Sequence, residues 1–346
     1  MHDTSDTVAP TRRPTQSHRA ARPKRTSRRH DPRFGFRAPR DGSPAPFRVL
    51  ISSRWTLAGA VSALLALLGY LFLPPYWRVR LIGAAVGAAG TAFGLATLQA
   101  SRLTFERVTL EVPHLPAALD GLTIAQLSDM HIGSRFSARA VRRAIAWVRQ
   151  IQPDLVVLTG DYASFPHDIA LLNEALEGIA AKRGVYAILG NHDYWIDVAL
   201  IEQVLTGHGI ELLRNDWRRF EINGASFYLV GIDCLWEAQH DLEQALAGLP
   251  QNALTVVLAH EPDIADDVAR YNVTLQLSGH THAGHIAAPL LGPFFLPRYG
   301  FRYVRGLYQV GEMWLYVSQG LGGIPLRIGS TPEATLFTLR QASSST

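Results

Sequence analysis

The sequence predicts an α/β fold that follows a basic arm and two apolar segments, and three observations lead to this prediction. Residues 1–100 contain 15 of the 33 Lys and Arg residues and two long uncharged stretches. From Leu103 onward, short apolar runs alternate with helical patterns, as in sheets whose strands are joined by helices. Five of these runs end in polar clusters, and ligands in open α/β sheets bind beyond the carboxyl ends of strands.

The first 46 residues form a basic arm that we expect to be disordered, because Arg, Pro, Ser and Thr dominate it and apolar periodicity is nearly absent. Arg12-Arg13 and Arg28-Arg29 raise a twin-arginine export signal as an alternative to positive-inside anchoring, although His30-Asp31-Pro32 fits that signal poorly. Nucleic-acid binding by the arm is a further alternative. A disordered tail that sets the membrane topology explains the same charges more simply. Residues 101–346 carry 18 basic and 25 acidic residues, which argues against a basic nucleic-acid groove around the polar clusters.

Residues 47–100 are predicted to hold two transmembrane helices, at 55–73 and 81–98, joined by a turn at Pro74-Pro75. Two GxxxG spacings in the second helix permit close helix packing in lipid. The alternative is one signal anchor followed by a soluble helix. The positive-inside rule places the basic arm in the cytoplasm. A helical hairpin then returns the 101–342 domain to the cytoplasmic face of the inner membrane, whereas a single span reverses that side.

The rest of the chain alternates strand and helix patterns. Asn223-Gly224 separates two apolar runs and predicts a tight hairpin. Helical patterns occupy 137–150, 169–181, 196–205, 242–249 and 263–270. Strand-like runs occupy 122–127, 155–158, 185–189, 254–258, 273–277, 303–310, 313–317 and 334–339.

The polar clusters behind five of these strands supply side chains that bind metals. Residues two apart on an extended segment point the same way, so each Asp-x-His or His-x-His pair can reach one site. Two divalent ions about 3.5–4 Å apart can activate water and neutralise a phosphoryl oxygen. Carboxylates and neutral imidazoles suit Mn, Fe, Zn or Mg. The candidate ligands are Asp129, His131, Asp161, Asn191, His260, His280 and His282.

At these clusters the sequence resembles the calcineurin-like metallophosphoesterases, whose pattern is D-x-H, G-D, G-N-H-[D/E], a single H and G-H-x-H. All five motifs occur here in that order, and the resemblance covers about residues 104–340. The stretch 122–133 looks like the bacterial membrane-associated branch, which includes pyrophosphohydrolases of UDP-2,3-diacylglucosamine, a lipid A precursor. The resemblance implies a four-layer α/β/β/α sandwich of two mixed sheets.

The resemblance also implies roles for single residues. Asp129, His131 and His282 would hold one divalent ion, and Asn191, His260 and His280 would hold the other. Asp161 would bridge the two ions, and a bridging hydroxide would attack phosphorus in line. His192 would protonate the leaving oxygen or stabilise the transition state, and Asp193 would orient it.

The sequence departs from the family pattern at two places, Ser164 and Ala283-Gly284-His285. His285 lies three residues beyond the candidate ligand His282, which makes it a candidate substrate contact, with a solvated loop histidine as the alternative. The expected function is membrane-anchored hydrolysis of a phosphodiester or pyrophosphate in a lipid or nucleotide-lipid. The alternatives are a phosphoesterase for soluble esters and a membrane adaptor with a vestigial site.

Overall fold

Two β-sheets lie face to face in the computed structural model, which describes residues 11–12, 70, 73–288 and 292–342. The predicted disordered arm and the predicted first transmembrane helix lie outside the described residues, except for Thr11, Arg12, Tyr70 and Leu73. Thr11 and Arg12 form β1, which pairs antiparallel with Arg219 and Arg218.

The first sheet has six strands in the order β2-β15-β3-β4-β5-β6. Strands β3 to β6 are parallel, and β15 pairs antiparallel with β3 and parallel with β2. The strands are β2 (Thr104–Val112), β3 (Thr123–Leu127), β4 (Leu155–Thr159), β5 (Val185–Ile188), β6 (Ile210–Leu212) and β15 (Glu333–Gln341).

The second sheet has seven strands in the order β1-β7-β8-β9-β10-β14-β13. Its central strands β8, β9, β10 and β14 are parallel, and antiparallel pairs flank them on both sides. The strands are β7 (Asp216–Ile222), β8 (Ala225–Gly231), β9 (Leu254–Leu258), β10 (Leu275–Ser278), β13 (Gly306–Val310) and β14 (Met313–Val317). Both sheets are therefore mixed, as predicted. Two short strands, β11 (Ala287–Ala288) and β12 (Gly292–Pro293), form a separate ribbon.

Helices cover the outer face of each sheet. One apolar cluster lies between the six-stranded sheet and helices α2 (Arg135–Ile151), α3 (Ile169–Ala175) and α5 (Val198–Gly207). Another lies between the seven-stranded sheet and helices α6 (Leu242–Leu246) and α7 (Ala265–Val268). A third fills the space between the two sheets. The α/β/β/α order of layers is thus confirmed. Helix α4 comprises Asn191–Ile196.

Burial on both faces explains why the central strands read as continuous apolar runs. All five residues of β4 and all five of β9 are buried, as expected for parallel strands between two layers. The predicted hairpin joins β7 to β8, and both turn residues, Asn223 and Gly224, have positive φ values of 47° and 81°. Asn-Gly favours such turns because both residues tolerate the left-handed region.

Helix α1 (Pro75–Ala100) precedes the sandwich and is long and apolar enough to cross a membrane. It begins at Pro75, so the prediction that Pro74-Pro75 forms a turn before a helix at 81–98 was wrong at this boundary. Proline suits the first turn of a helix, where its missing N–H has no partner to lose. Only Ala96 and Ala100 of this helix are buried, and the backbone N–H of Arg327 donates to Ala96 O at 3.1 Å.

Candidate metal centre

The carboxyl ends of five strands bring the predicted ligands to one edge of the sandwich. Strands β3, β4 and β5 contribute from the six-stranded sheet, and β9 and β10 contribute from the seven-stranded sheet. The backbone N–H of His280 donates to both carboxylate oxygens of Asp129, at 2.9 and 3.0 Å, and so joins the two sheets. All seven predicted ligands are buried, with at most 7% of any of them exposed.

The ligand atoms of Asp129, His131 and His282 lie within 4.8 Å of one another. His282 Nε2 is 3.3 Å from Asp129 Oδ1, and the His131 and His282 rings are 4.8 Å apart between centroids. One carboxylate and two imidazoles directed at a common point fit a divalent cation.

A second group consists of Asp161, His260 and His280. Asp161 Oδ2 lies 3.2 Å from His260 Nε2, and that nitrogen lies 3.2 Å from His280 Nδ1. The same Asp161 Oδ2 lies 3.3 Å from His131 Nε2 of the first group. The Asp161 carboxylate therefore lies between the two groups, at the position of a bridge.

Asn191 is the first residue of α4 and is 2% exposed. Its Oδ1 atom has no hydrogen-bond partner among the described residues. A buried carbonyl oxygen without a partner costs about 1–3 kcal/mol. A cation at this place would supply the missing partner, so the residues present fit a metal ion.

Hydrogen bonds on the other ring nitrogens fix the orientation of two imidazoles. His260 Nδ1 lies 2.7 Å from Thr159 O, and His280 Nε2 lies 2.7 Å from Arg298 O. A carbonyl oxygen only accepts, so each of these nitrogens carries the hydrogen. When the rings are neutral, His260 Nε2 and His280 Nδ1 keep their lone pairs for a metal.

Charges within the centre complement one another. Burial opposes ionisation of Asp161, but the charge of His260 and hydrogen bonds from His131 and His260 hold its pKa well below the usual value. Burial likewise opposes protonation of His260, but Asp161 raises its pKa well above the usual value. A divalent cation would replace the imidazole proton as the partner of this carboxylate.

Close backbone approach explains the glycines of the motifs. A Cβ atom at Gly279 would collide with the side chains of Asp129 and Ser128, and one at Gly190 would collide with Asp161 and His260. Five candidate ligands adopt the left-handed φ region, which is costly for residues with a Cβ atom and concentrates at functional sites. These ligands are Asp129, His131, Asp161, His280 and His282.

His192 follows Asn191 on α4 and is half-buried at the edge of the centre. Its ring meets that of His131 edge-on at 4.6 Å, and its backbone N–H donates to Asp161 Oδ1 at 2.9 Å. A ring nitrogen of His192 lies within 4.8 Å of the ligand atoms of His131 and Asp161. The ring therefore lies beside two of the candidate metal ligands, His131 and Asp161.

The carboxylate of Asp193 is bound by backbone N–H groups, and the orientation of His192 by Asp193 stays a prediction. Its Oδ2 accepts from the N–H groups of Asp161 and Gly190 at 2.9 and 2.8 Å, and its Oδ1 accepts from the N–H of Tyr162 at 2.9 Å. No described hydrogen bond joins it to the His192 ring. Asp193 thus positions the backbone segments that carry Asp161 and Asn191.

His285 stacks on the ligand His282, with ring centroids 4.4 Å apart. Burial and the nearby charge of Arg327 lower the pKa of His285 to about 3. Its Nδ1 atom is buried without a partner among the described residues. The ring supports His282 in this arrangement, and contact with substrate stays a prediction.

A glycine-rich loop after β14 packs under the centre and was missed by sequence reasoning. The N–H groups of Leu321 and Gly322 donate to Ser128 O and Asp129 O at 2.9 and 2.8 Å. Arg327 is 1% exposed, and its guanidinium donates to Gln319 O and Gly322 O at 2.7 Å. The only sign of this close packing in the sequence is the cluster of glycines at positions 320, 322 and 323.

Two tryptophans border the centre and were also missed. The Trp195 ring is 4.5 Å from that of His192, is 52% exposed, and donates from Nε1 to Glu237 Oε1. Trp236 lies 5.7 Å from both Trp195 and His280. These rings border the centre on the side of His192 and His280.

Comparison with known proteins agrees with this geometry. The family model for calcineurin-like phosphoesterases matches residues 122–284. The uncharacterized metallophosphoesterase YkuE of Bacillus subtilis is 34% identical over 261 residues, which are 73% of this chain and 91% of that protein. The chain belongs to the calcineurin-like metallophosphoesterases. It is therefore a metal-dependent phosphoesterase, and the resemblance read from the five motifs is confirmed.

Two further relatives differ in length from this phosphoesterase. The phosphodiesterase YaeI of Escherichia coli is 33% identical over 220 residues, which are 62% of this chain and 80% of YaeI. A zebrafish transmembrane protein with metallophosphoesterase domain is 35% identical over 260 residues, which are 68% of this chain. The chain spans only 57% of that zebrafish relative.

Proposed function

We propose that this chain is a membrane-anchored phosphoesterase that uses two divalent ions to hydrolyse a phosphodiester or pyrophosphate bond in a lipid-linked substrate. The observation that carries the proposal is the position of Asp161 Oδ2, 3.3 Å from His131 Nε2 and 3.2 Å from His260 Nε2. One carboxylate oxygen shared by two ligand groups is the arrangement that a two-metal site requires.

The residues divide between two ions. Asp129, His131 and His282 would hold one, Asn191, His260 and His280 would hold the other, and Asp161 would bridge them. Mn, Zn, Fe and Mg all suit this set of oxygen and imidazole ligands. When bound, the ions activate water and neutralise charge on the phosphoryl oxygens. The phosphate position is set by the two ions, and therefore by Asp161 and the other six side chains that would hold them.

His192 is the proposed catalytic residue of the chain itself. Its ring lies beside His131, and the hydrogen bond from its backbone N–H to Asp161 Oδ1 holds the residue close to the bridging carboxylate. From there it can donate to the leaving oxygen or to the charged transition state. Asp193 acts on this chemistry through the backbone of Asp161 and Gly190.

Membrane anchoring is supported by α1 and by the name of the zebrafish relative. Large apolar side chains along α1 are exposed, among them Val79, Val86 and Leu95. With twelve basic residues before Leu50, the positive-inside rule favours a cytoplasmic N-terminus at the inner membrane. If 55–73 also spans, the catalytic domain is cytoplasmic. Protease added outside spheroplasts should then spare a C-terminal tag, and cleavage of the tag would reverse this assignment.

A substrate screen of the full-length protein in detergent tests the proposed reaction. The compounds are bis-p-nitrophenyl phosphate, p-nitrophenyl phosphate and UDP-2,3-diacylglucosamine, each with Mn, Zn, Fe or Mg supplied. We expect metal-dependent hydrolysis of the diester and a higher kcat/KM for the lipid-linked compound. Folded, metal-loaded protein without any hydrolysis would contradict the proposal. A preference for the soluble esters would instead identify an enzyme for soluble substrates.

A further inference from the structure

A cavity of about 220 Å³ lies between the metal centre and the end of α1. The ligand His131 lines it, and so does Ala100, the last residue of α1. Arg327 forms another part of its wall. The cavity therefore joins the proposed phosphate position to the proposed membrane anchor.

Exposed apolar side chains surround this cavity. Phe136 lies in the first turn of α2, Phe165 precedes α3, and Ile324 lies in the loop before β15; they are 45%, 56% and 58% exposed. Three separate segments thus place large apolar groups in water around one cavity. A concave site with apolar walls and a few polar groups is typical of ligand binding, and apolar surface that stays exposed marks contact with a partner or with lipid.

The attachment of α1 fixes this cavity relative to the membrane. Arg327 bonds through its backbone N–H to Ala96 O of α1, and through its guanidinium to the glycine-rich loop beneath Asp129. Ala96 and Ala100 are the two buried residues of α1. If α1 lies in the bilayer, as the proposed function requires, the exposed side chains of Phe136, Phe165 and Ile324 lie near the lipid surface.

We infer that this cavity binds the hydrocarbon chain of an amphiphilic phosphoester whose phosphate lies at the metal centre. The inference rests on the proposed function and specifies how that site selects its substrate. The chain would leave the bilayer beside α1 and pass between Phe136, Phe165 and Ile324, while His131 and Arg327 line the part of the wall nearest the phosphate. Each methylene group that enters should raise kcat/KM about fourfold.

A series of alkyl p-nitrophenyl phosphates tests the inference with full-length protein in phosphatidylcholine nanodiscs. The esters run from methyl through butyl to octyl, and all release the same coloured product. We expect kcat/KM to rise about fourfold for each methylene group that enters the cavity, which is at least about tenfold from methyl to octyl once two groups have entered. In the Phe165→Ala/Ile324→Ala double variant, the octyl-to-methyl ratio should fall about tenfold while kcat/KM for the methyl ester is unchanged. Both residues are exposed, so the variant should fold.

Leu200→Ala is the matched control, because Leu200 is an exposed apolar residue on α5 that does not line the cavity. It should keep the wild-type ratio. Hydrolysis of every ester with equal kcat/KM, or a ratio that the double variant retains, would overturn the inference and leave the proposed function intact. No hydrolysis of any ester by metal-loaded wild type would contradict the proposed function itself.

Discussion

Nδ1 of His260 lies 2.7 Å from the backbone oxygen of Thr159, the last residue of β4. His260 follows β9 of the seven-stranded sheet, and Thr159 belongs to the six-stranded sheet. This hydrogen bond thus joins the two sheets and also directs Nε2 of His260 toward Asp161. The packing of the sandwich and the orientation of a candidate metal ligand depend on the same contact.

Replacing Gly279 by Ala should abolish activity, because the new Cβ atom would collide with the side chains of Asp129 and Ser128. Gly207→Ala is the matched control: no atom lies within 4 Å of the added Cβ, and Gly207 is the last residue of α5. Alanine is favoured over glycine in helices by up to about 1 kcal/mol. Activity assays and thermal unfolding should therefore show loss of function only in Gly279→Ala. An active Gly279→Ala enzyme would contradict the close approach of the Gly279 backbone to the side chains of Asp129 and Ser128.

His192→Ala should lower kcat about 10²–10⁴-fold, the usual contribution of a positioned acid or base, while both ions remain bound. His208→Ala is the control, because His208 is a half-buried histidine that contacts Asn173 and belongs to neither ligand group. Steady-state kinetics and metal analysis by mass spectrometry measure the two effects. Loss of one ion from His192→Ala would show that His192 is a ligand, as its short distance to His131 and Asp161 permits.

Arg327→Met should lower the free energy of unfolding by about 3 kcal/mol, because it leaves buried carbonyl oxygens without their donors. That loss corresponds to a fall in Tm of roughly 6–12 °C for a domain of this size. Arg340→Met is the control, since Arg340 forms an exposed ion pair with Asp120, and such pairs contribute about 0–1 kcal/mol. Equal Tm values for the two variants would refute the structural role of Arg327.

Removal of divalent ions by a chelator should lower Tm, because a ligand that binds only the folded state stabilises it. At a free metal concentration of 100 Kd the gain is about 2.7 kcal/mol per site. Unfolding curves recorded with increasing Mn or Zn should show Tm rising with concentration. In the Asn191→Ala variant the increase of Tm with metal concentration should be smaller. An increase equal to that of the wild type would show that Asn191 is not a metal ligand.

The sequence predicted which candidate ligands come together, because each one follows its strand within a few residues and local pattern was sufficient. The glycine-rich loop and Arg327 were missed because their partners are distant in sequence: Gly322 bonds to Asp129. The backbone N–H groups that donate to the Asp193 carboxylate were missed for a related reason, since their direction depends on the turn after β4. The start of α1 was misplaced because Pro75 suits both a turn and a first helical turn.

Asp161 is proposed to bridge two metal ions, and anomalous X-ray diffraction from crystals of the Mn-loaded full-length protein can locate those ions. We predict two anomalous peaks about 3.5–4 Å apart, one beside Asp129, His131 and His282 and the other beside Asn191, His260 and His280, with the Asp161 carboxylate between them. A single peak, or two peaks of which only one contacts Asp161, would contradict the claim.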